Sequence, residues 1–277
     1  MTYSIVARDP QTGDLGVAVQ SHYFAVGPVV PWARPGVGAV ATQSLVEVSY
    51  GPRLLELLAA GRAPDEALAE LTGDDPGQAG RQVAVVDAGG RVAVHTGARC
   101  IAEAGHRTGD GWSVQANMMT TATVPDAMAE AFTAAEGDLA SRLVAALDAA
   151  EAAGGDIRGR QSAALVVVGG DGDLPPWDRL FDVRVDDAAE PLTELRRLVD
   201  LRRAYRDGDA EAPVLGDNPE LRFWAALRQA AGGDVTGARS ALDGISRHDD
   251  RWRELLRRLP AAGLFPDDLE LLRALTD

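Results

Sequence analysis

The chain opens Met1-Thr2-Tyr3-Ser4-Ile5-Val6-Ala7-Arg8, so loss of one methionine leaves a threonine with a free α-amine at the head of an apolar, β-branched run. A threonine hydroxyl becomes a useful nucleophile only when a base stands beside it, and an α-amine on the same residue is such a base. That amine titrates near pH ~8, so part of it can accept a proton at neutral pH. The competing explanation is ordinary: small second residues let the initiator methionine leave in many proteins that hydrolyse nothing. Polar groups gathered around Thr2 by the fold are what separate the two.

Residues 3–8 and 15–20 are apolar runs separated by Asp9-Pro10-Gln11-Thr12-Gly13-Asp14, which predicts a hairpin headed by Thr2. Residues 36–43 predict a third extended segment, and 53–60 and 64–71 carry leucines at helical spacing. A second hairpin is expected over 81–87 and 91–96, followed by a strand at 112–117. Residues 125–153 read as two alanine-rich helices broken at Glu136-Gly137-Asp138, 161–168 and 180–185 as strands, and 191–205 as a charged helix with leucines along one stripe. Strands and helices come in blocks, which suits an α+β fold of mostly antiparallel sheets better than alternating βαβ units.

Composition removes whole classes of chemistry. A formal charge of −15, from 42 acids against 27 basic residues, argues against nucleic acid or an anionic membrane as partner. All 27 basic residues are arginine, so no step can use a lysine ammonium. Cys100 is the single cysteine, which excludes an intramolecular disulfide and fits a reducing compartment. With no secretory pattern and no run of ~18 apolar residues, a cytoplasmic location is expected. His22, His95, His106 and His248 share no ligand spacing, and no phosphate-cradling glycine motif occurs, so neither a metal nor any other cofactor is implied. The acidic runs at 169–173 and 207–213 read as loop and linker.

Residues 206–277 change character, with short amphipathic stretches at 218–231, 234–244, 250–259 and 267–275. They predict a small helical module after a main domain at 1–205. Phe223, Trp224, Trp252 and Phe265 read as its core, with a ligand surface as the alternative.

The segments TYSIVARDPQTGDLGVAVQSHYFAVG at 2–27, VPWARPGVGAVATQ at 30–43, YGPRLLELL at 50–58, GHRTGDGWSVQANM at 105–118, DIRGRQSAALVVV at 156–168 and FDVRVDD at 181–187 resemble the bacterial family called domain of unknown function 1028. That family is classed with the N-terminal nucleophile hydrolases. The resemblance implies a four-layer αββα sandwich over 1–205 and hydrolysis of a small-molecule or peptide amide through an acyl ester on Thr2. Residues 206–277 resemble a peptidoglycan-binding-like module found in some members, which implies a cell-wall fragment as its ligand. The alternative is a non-catalytic ligand-binding or scaffold protein that keeps the sandwich. A homodimer is the oligomer considered.

Proteasome-like relatives place a lysine and an aspartate near their threonine. Here there is no lysine, and Ser21 stands where the aspartate is expected. Within that resemblance Ser21 and Arg34 join Thr2 as catalytic candidates. Arg34 stays protonated and cannot be a base, but it can hold the amine neutral and stabilise an oxyanion; otherwise it anchors its loop through a surface ion pair. Ser21 and His22 end the second strand, and alternation lets at most one of them face Thr2. Gln43 and Asn117 also end extended segments, as donors to an oxyanion or as loop caps. His106, in a GHRTGDG loop, has the titration range for proton transfer or serves as a structural partner. Asp156, Arg160, Gln161 and Ser162, with Arg158, form a network at the nucleophile's amine or an ion-pair cluster between layers.

Overall fold

The computed structural model describes residues 2–247 and 249–276; Met1, whose loss the expected Thr2 nucleophile would require, lies outside the described residues, as do His248 and Asp277. The chain divides into two compact units, Met1–Val199 and Asp200–Asp277.

In the first unit, alternation within each strand decides what meets what. The larger sheet contains β1 (Thr2–Arg8), β2 (Leu15–Ser21), β7 (Gly105–Gly109), β8 (Trp112–Asn117), β9 (Ser162–Val168) and β10 (Phe181–Val185), in the order β10-β9-β2-β1-β8-β7. The smaller sheet is β3-β4-β5-β6, from Pro31–Arg34, Gly38–Ser44, Arg81–Asp87 and Val92–Thr96. Every named strand pairing is antiparallel. The β1–β2 turn is closed by Asp9, whose carboxylate accepts from the backbone of Gln11 and Thr12, while Gly13 takes a φ of +79°.

Tyr3, Ile5 and Ala7 point to one side of β1, into a core with Met128 and Phe132 of α3 (Val124–Ala134) and Leu139, Leu143 and Leu147 of α4 (Leu139–Ala152). Leu192, Leu195 and Val199 of α5 (Pro191–Asp207) join the same core. Gly16 of β2 is required there: a Cβ would lie 2.6 Å from Leu143, so α4 rests directly on the strand backbone. On the smaller sheet, Val40, Val83 and Val85 meet leucines of α1 (Tyr50–Ala59) and α2 (Pro64–Gly73). The opposite phase of both sheets makes a third core, with Val6, Val17, Val19, Ala39, Ala41, Val86 and Val166 between them.

Two strands escape sequence pattern. Residues 31–34 form β3, an edge strand that begins with proline, a position where the missing N–H costs no ladder bond. Residues 105–109, read from sequence as loop, form edge strand β7, paired only to β8. Both are short, four and five residues, too few to show an alternation in sequence.

The second unit holds the last turns of α5 and helices α6 (Glu220–Ala231), α7 (Val235–Ser246), α8 (Arg251–Arg258) and α9 (Leu269–Thr276). Phe223 is its fully buried centre, with ring centroids of Trp224 and Trp252 at 5.3 and 5.0 Å, and Phe265 packs into the same cluster. Among the described residues no helix is long and apolar enough to cross a membrane.

Candidate active site

Antiparallel register puts Thr2 opposite Ser21 of β2 on one side and opposite Asn117 of β8 on the other. Three strand ends meet there, and all three side chains point into the layer between the sheets. Thr2 is 4% exposed, and its hydroxyl donates to Ser21 Oγ at 3.0 Å. Ser21 is therefore the hydroxyl in contact with the candidate nucleophile. The backbone N–H of His22, the next residue, donates to Asp156 at 3.3 Å.

Side-chain amides from both sheets converge beneath Thr2. Gln43 at the end of β4 donates to the Thr2 carbonyl at 3.2 Å and to Gln82 Oε1 at 2.8 Å. Asn117 donates to the same two oxygens, at 3.4 and 2.9 Å. These amides grip residue 2 itself, so in this arrangement they position the candidate nucleophile and are not free to serve an oxyanion. Gln43 Oε1 accepts from Ser4, Ser4 accepts from Gln115, and Gln115 accepts from Ser113, at 2.7, 2.6 and 2.9 Å. Gln82 donates in turn to Ala116 O, Gly105 O and Thr96 Oγ1, and Thr96 meets His106 Nδ1 at 2.9 Å.

Gln82, Gln115 and Ser4 escape a reading for chemistry because a polar residue on a strand looks like a solvent-facing position. A signal exists in β5: the sequence RQVAVVD is apolar in both phases after Gln82, so the strand is buried on both faces and its glutamine must be too. His106 sits on β7, opposite Gln115, and connects to Thr2 through Thr96, Gln82 and then Asn117 or Gln43. Burial, then the charge of Arg107, lowers its pKa.

The remaining candidates separate. Asp156 is buried and accepts from the His22 backbone and from the backbone and guanidinium of Arg158, so it ties the 156–158 loop to the end of β2. Ser162, opposite Ser21, donates to Tyr23 O at 2.5 Å and accepts from Val26 N, which fixes the loop after β2. Gln161 reaches Asp187, and its N–H donates to Ser21 O. Arg160 pairs with Glu151 and Glu190 on the other face of the sheet, where Tyr3 donates to Glu151 and burial pushes the Tyr3 phenol well above its usual range.

Arg34 is not brought to Thr2. It pairs with Gly38 at the start of β4, whereas Gln43 lies near the strand's other end, and those five residues span roughly 17 Å at ~3.3 Å each.

Backbone strain marks the same end of the sheets. Ala25, Ser44, Glu103 and Met118 are the non-glycine residues at positive φ among the described residues. Ser44 directly follows Gln43 and Met118 directly follows Asn117, so each amide is set by a turn that costs on the order of 1 kcal/mol. Among the described residues, no group of three or more His, Cys, Asp or Glu is placed to hold a metal ion.

Residues 2–195 match the profile of a family of unknown function, DUF1028. The chain belongs to the DUF1028 family. Protein SPO2555 of Silicibacter pomeroyi, a solved structure of the same family, is 34% identical to the DUF1028 chain, covers 73% of it over 85% of its own length, and superposes with a TM-score of 0.66. An ancestral β-subunit, Anbu, of Yersinia bercovieri is 9% identical with a TM-score of 0.36, covering 75% of this chain and 94% of that one; this second likeness carries no argument. No curated protein matches the sequence. The Thr2 network lies wholly within the residues that define this DUF1028 chain as a family member.

Proposed function

We propose that this protein hydrolyses the amide bond of a small molecule or peptide with Thr2, freed by removal of Met1, as nucleophile. The observation that carries the reading is the buried contact of Thr2 Oγ1 with Ser21 Oγ, above amides from two sheets that hold the Thr2 carbonyl. The proposed fold type is the four-layer αββα sandwich of N-terminal nucleophile hydrolases, for which helices on the outer face of each of two stacked sheets speak.

In the first half-reaction Thr2 Oγ bonds to the amide carbon as its proton passes to the α-amine, directly or through the Ser21 hydroxyl. Collapse breaks the C–N bond, and the ammonium returns the proton to the leaving amine. Water then attacks the acyl ester with the amine as base. The ester C–O bond breaks, the acid leaves and Thr2 regains its proton. Tyr23, Phe24, Leu45, Ile101 and Ile157 are exposed apolar side chains on loops that leave this end of the strands, which favours a substrate with uncharged, apolar flanks.

Intact mass of the purified protein, followed by a β-lactone probe, tests the reading. A chain lacking Met1 that gains one adduct on Thr2, with the adduct abolished in Thr2→Ala, is the expected result. Retained Met1 or no adduct overturns it.

A second reading, ligand binding without catalysis, is favoured by one observation in the other unit. A cavity of about 870 Å³ there is lined by Arg222, Ala226, Ile245 and Trp252 among others. It is the proposed place for a cell-wall fragment, and soluble muropeptides titrated against Trp252→Ala and the parent protein decide it.

A further inference from the structure

The amides gathered around Thr2 leave one polar atom over. Among Thr2, Gln43, Gln82, Gln115 and Asn117, the only buried side-chain atom without a partner is Asn117 Oδ1. A buried carbonyl oxygen left unpaired costs about 1–3 kcal/mol, so a native structure that keeps one needs a reason for it.

The orientation of that oxygen follows from donors and acceptors counted outward from fixed groups. Gln82 faces two backbone carbonyls, Ala116 O at 3.0 Å and Gly105 O at 3.2 Å, and carbonyls only accept. The atom of Gln82 that faces them is therefore the NH₂ group. Its Oε1 must face the other way, toward Gln43 and Asn117, and both have to present NH₂ to it, at 2.8 and 2.9 Å. With Nδ2 of Asn117 committed to Gln82 and to Thr2 O, Oδ1 is left on the far side of the amide, on the residue directly opposite Thr2 in the register.

We propose that Asn117 Oδ1 is the acceptor that holds the α-amine of Thr2 in the Met1-free chain, and that Gln82 is the positioning residue that keeps Asn117 from flipping. The proposal deepens the hydrolase reading and shares with it only the freed amine, not turnover. One N–H of the amine donated to Asn117 Oδ1 turns the nitrogen lone pair toward its own hydroxyl, where a proton has to be taken. An accepting oxygen also stabilises the ammonium form, so it raises the amine's titration point relative to the same site without it.

The chain has no lysine, so the α-amine is its sole aliphatic amine and can be titrated without interference from other amines, in a Cys100→Ser background that removes the one thiol. The pH dependence of carbamylation by cyanate, read by intact mass on Met1-free protein, gives the midpoint. Asn117→Leu is expected to lower it by about one pH unit, roughly tenfold in acidity. Gln82→Leu should move it the same way by less, and Ser113→Ala, in the same polar layer without contact to Asn117, should leave it in place. An unmoved midpoint in folded Asn117→Leu, or a chain that keeps Met1, overturns the proposal. Should Asn117→Leu fail to fold, a crystal structure of the Met1-free parent decides: the amine within roughly 3 Å of Asn117 Oδ1 supports it, and an amine bound elsewhere overturns it. None of these readouts depends on an amide being cleaved, so a dead hydrolase with a normal amine titration sinks the catalytic reading alone.

Discussion

The same two sheets seal their shared layer in two different ways. Beneath β2 and β9 the contact is Val17, Val19, Ala164 and Val166 against Ala39 and Ala41, a dry apolar seam. Beneath the start of β1 and the end of β8 it is Ser4, Gln43, Gln82, Gln115 and Asn117, each at most 1% exposed. An apolar seam stabilises through area alone and tolerates small misfits, whereas a buried amide stabilises nothing unless each of its atoms is matched. The chain could close this layer with valine everywhere. That it places a nearly complete amide network at one end, beside the positive-φ turns after Gln43 and Asn117, says that this end is held to a geometry which valine cannot specify.

Breaking the polar stretch should therefore cost more, and cost something different, than breaking the apolar one. Gln82→Leu takes one acceptor from each of the NH₂ groups of Gln43 and Asn117, which keep the Thr2 carbonyl, and removes the donor to Ala116 O and Gly105 O. A loss of about 3 kcal/mol in urea unfolding is expected, together with at least a tenfold fall in β-lactone labelling of the folded fraction. Val17→Ala removes two methyl groups from the seam and should lose about 2 kcal/mol by cavity formation while labelling at Thr2 stays at the parent rate. If the two variants lose labelling equally, the polar end has no special relation to Thr2, and the contrast drawn between the two stretches collapses.

Much of this was legible in the sequence, and what was not has a physical pattern. The hairpin headed by Thr2, the buried strand at 162–168 and the paired helices at 124–152 all announce themselves by period, since each must bury a continuous apolar face. Ser21 as the hydroxyl beside Thr2 follows from hairpin register alone. Arg34 was drawn to the site by its charge, but β3 runs to the wrong end of the sheet, and that depends on a strand too short and too near a proline to show a period. Gln82 and Gln115 stayed hidden because alternation separates the two faces of a strand without saying which face is wet. The apolar run after Gln82 marks its strand as buried, but what its amide meets depends on the neighbouring strands and the second sheet, and such contacts are not a local property of either strand.

The network also reaches one titratable group, and there the contrast should be faintest. Thr96 Oγ1 accepts from Gln82 Nε2 and lies 2.9 Å from His106 Nδ1, so one hydroxyl couples the ring to the amides. Burial and the neighbouring Arg107 lower its pKa in the fold below the ordinary value of 6.5. As pH falls from that value, the unfolded chain binds the proton first, so the stability His106 contributes is complete above about pH 6.5 and declines as pH drops through the lower, folded value. In the protonated ring Nδ1 is a donor, so Thr96 must point its own hydrogen away from the ring. Urea midpoints of the parent and of His106→Asn, compared between pH 7.5 and pH 5, should differ by a small extra loss in the parent at the acid end, with Val17→Ala showing the parent's slope. The same pH dependence in His106→Asn and the parent would show that the ring does not feel the amide network, and that the polar stretch ends at Gln82.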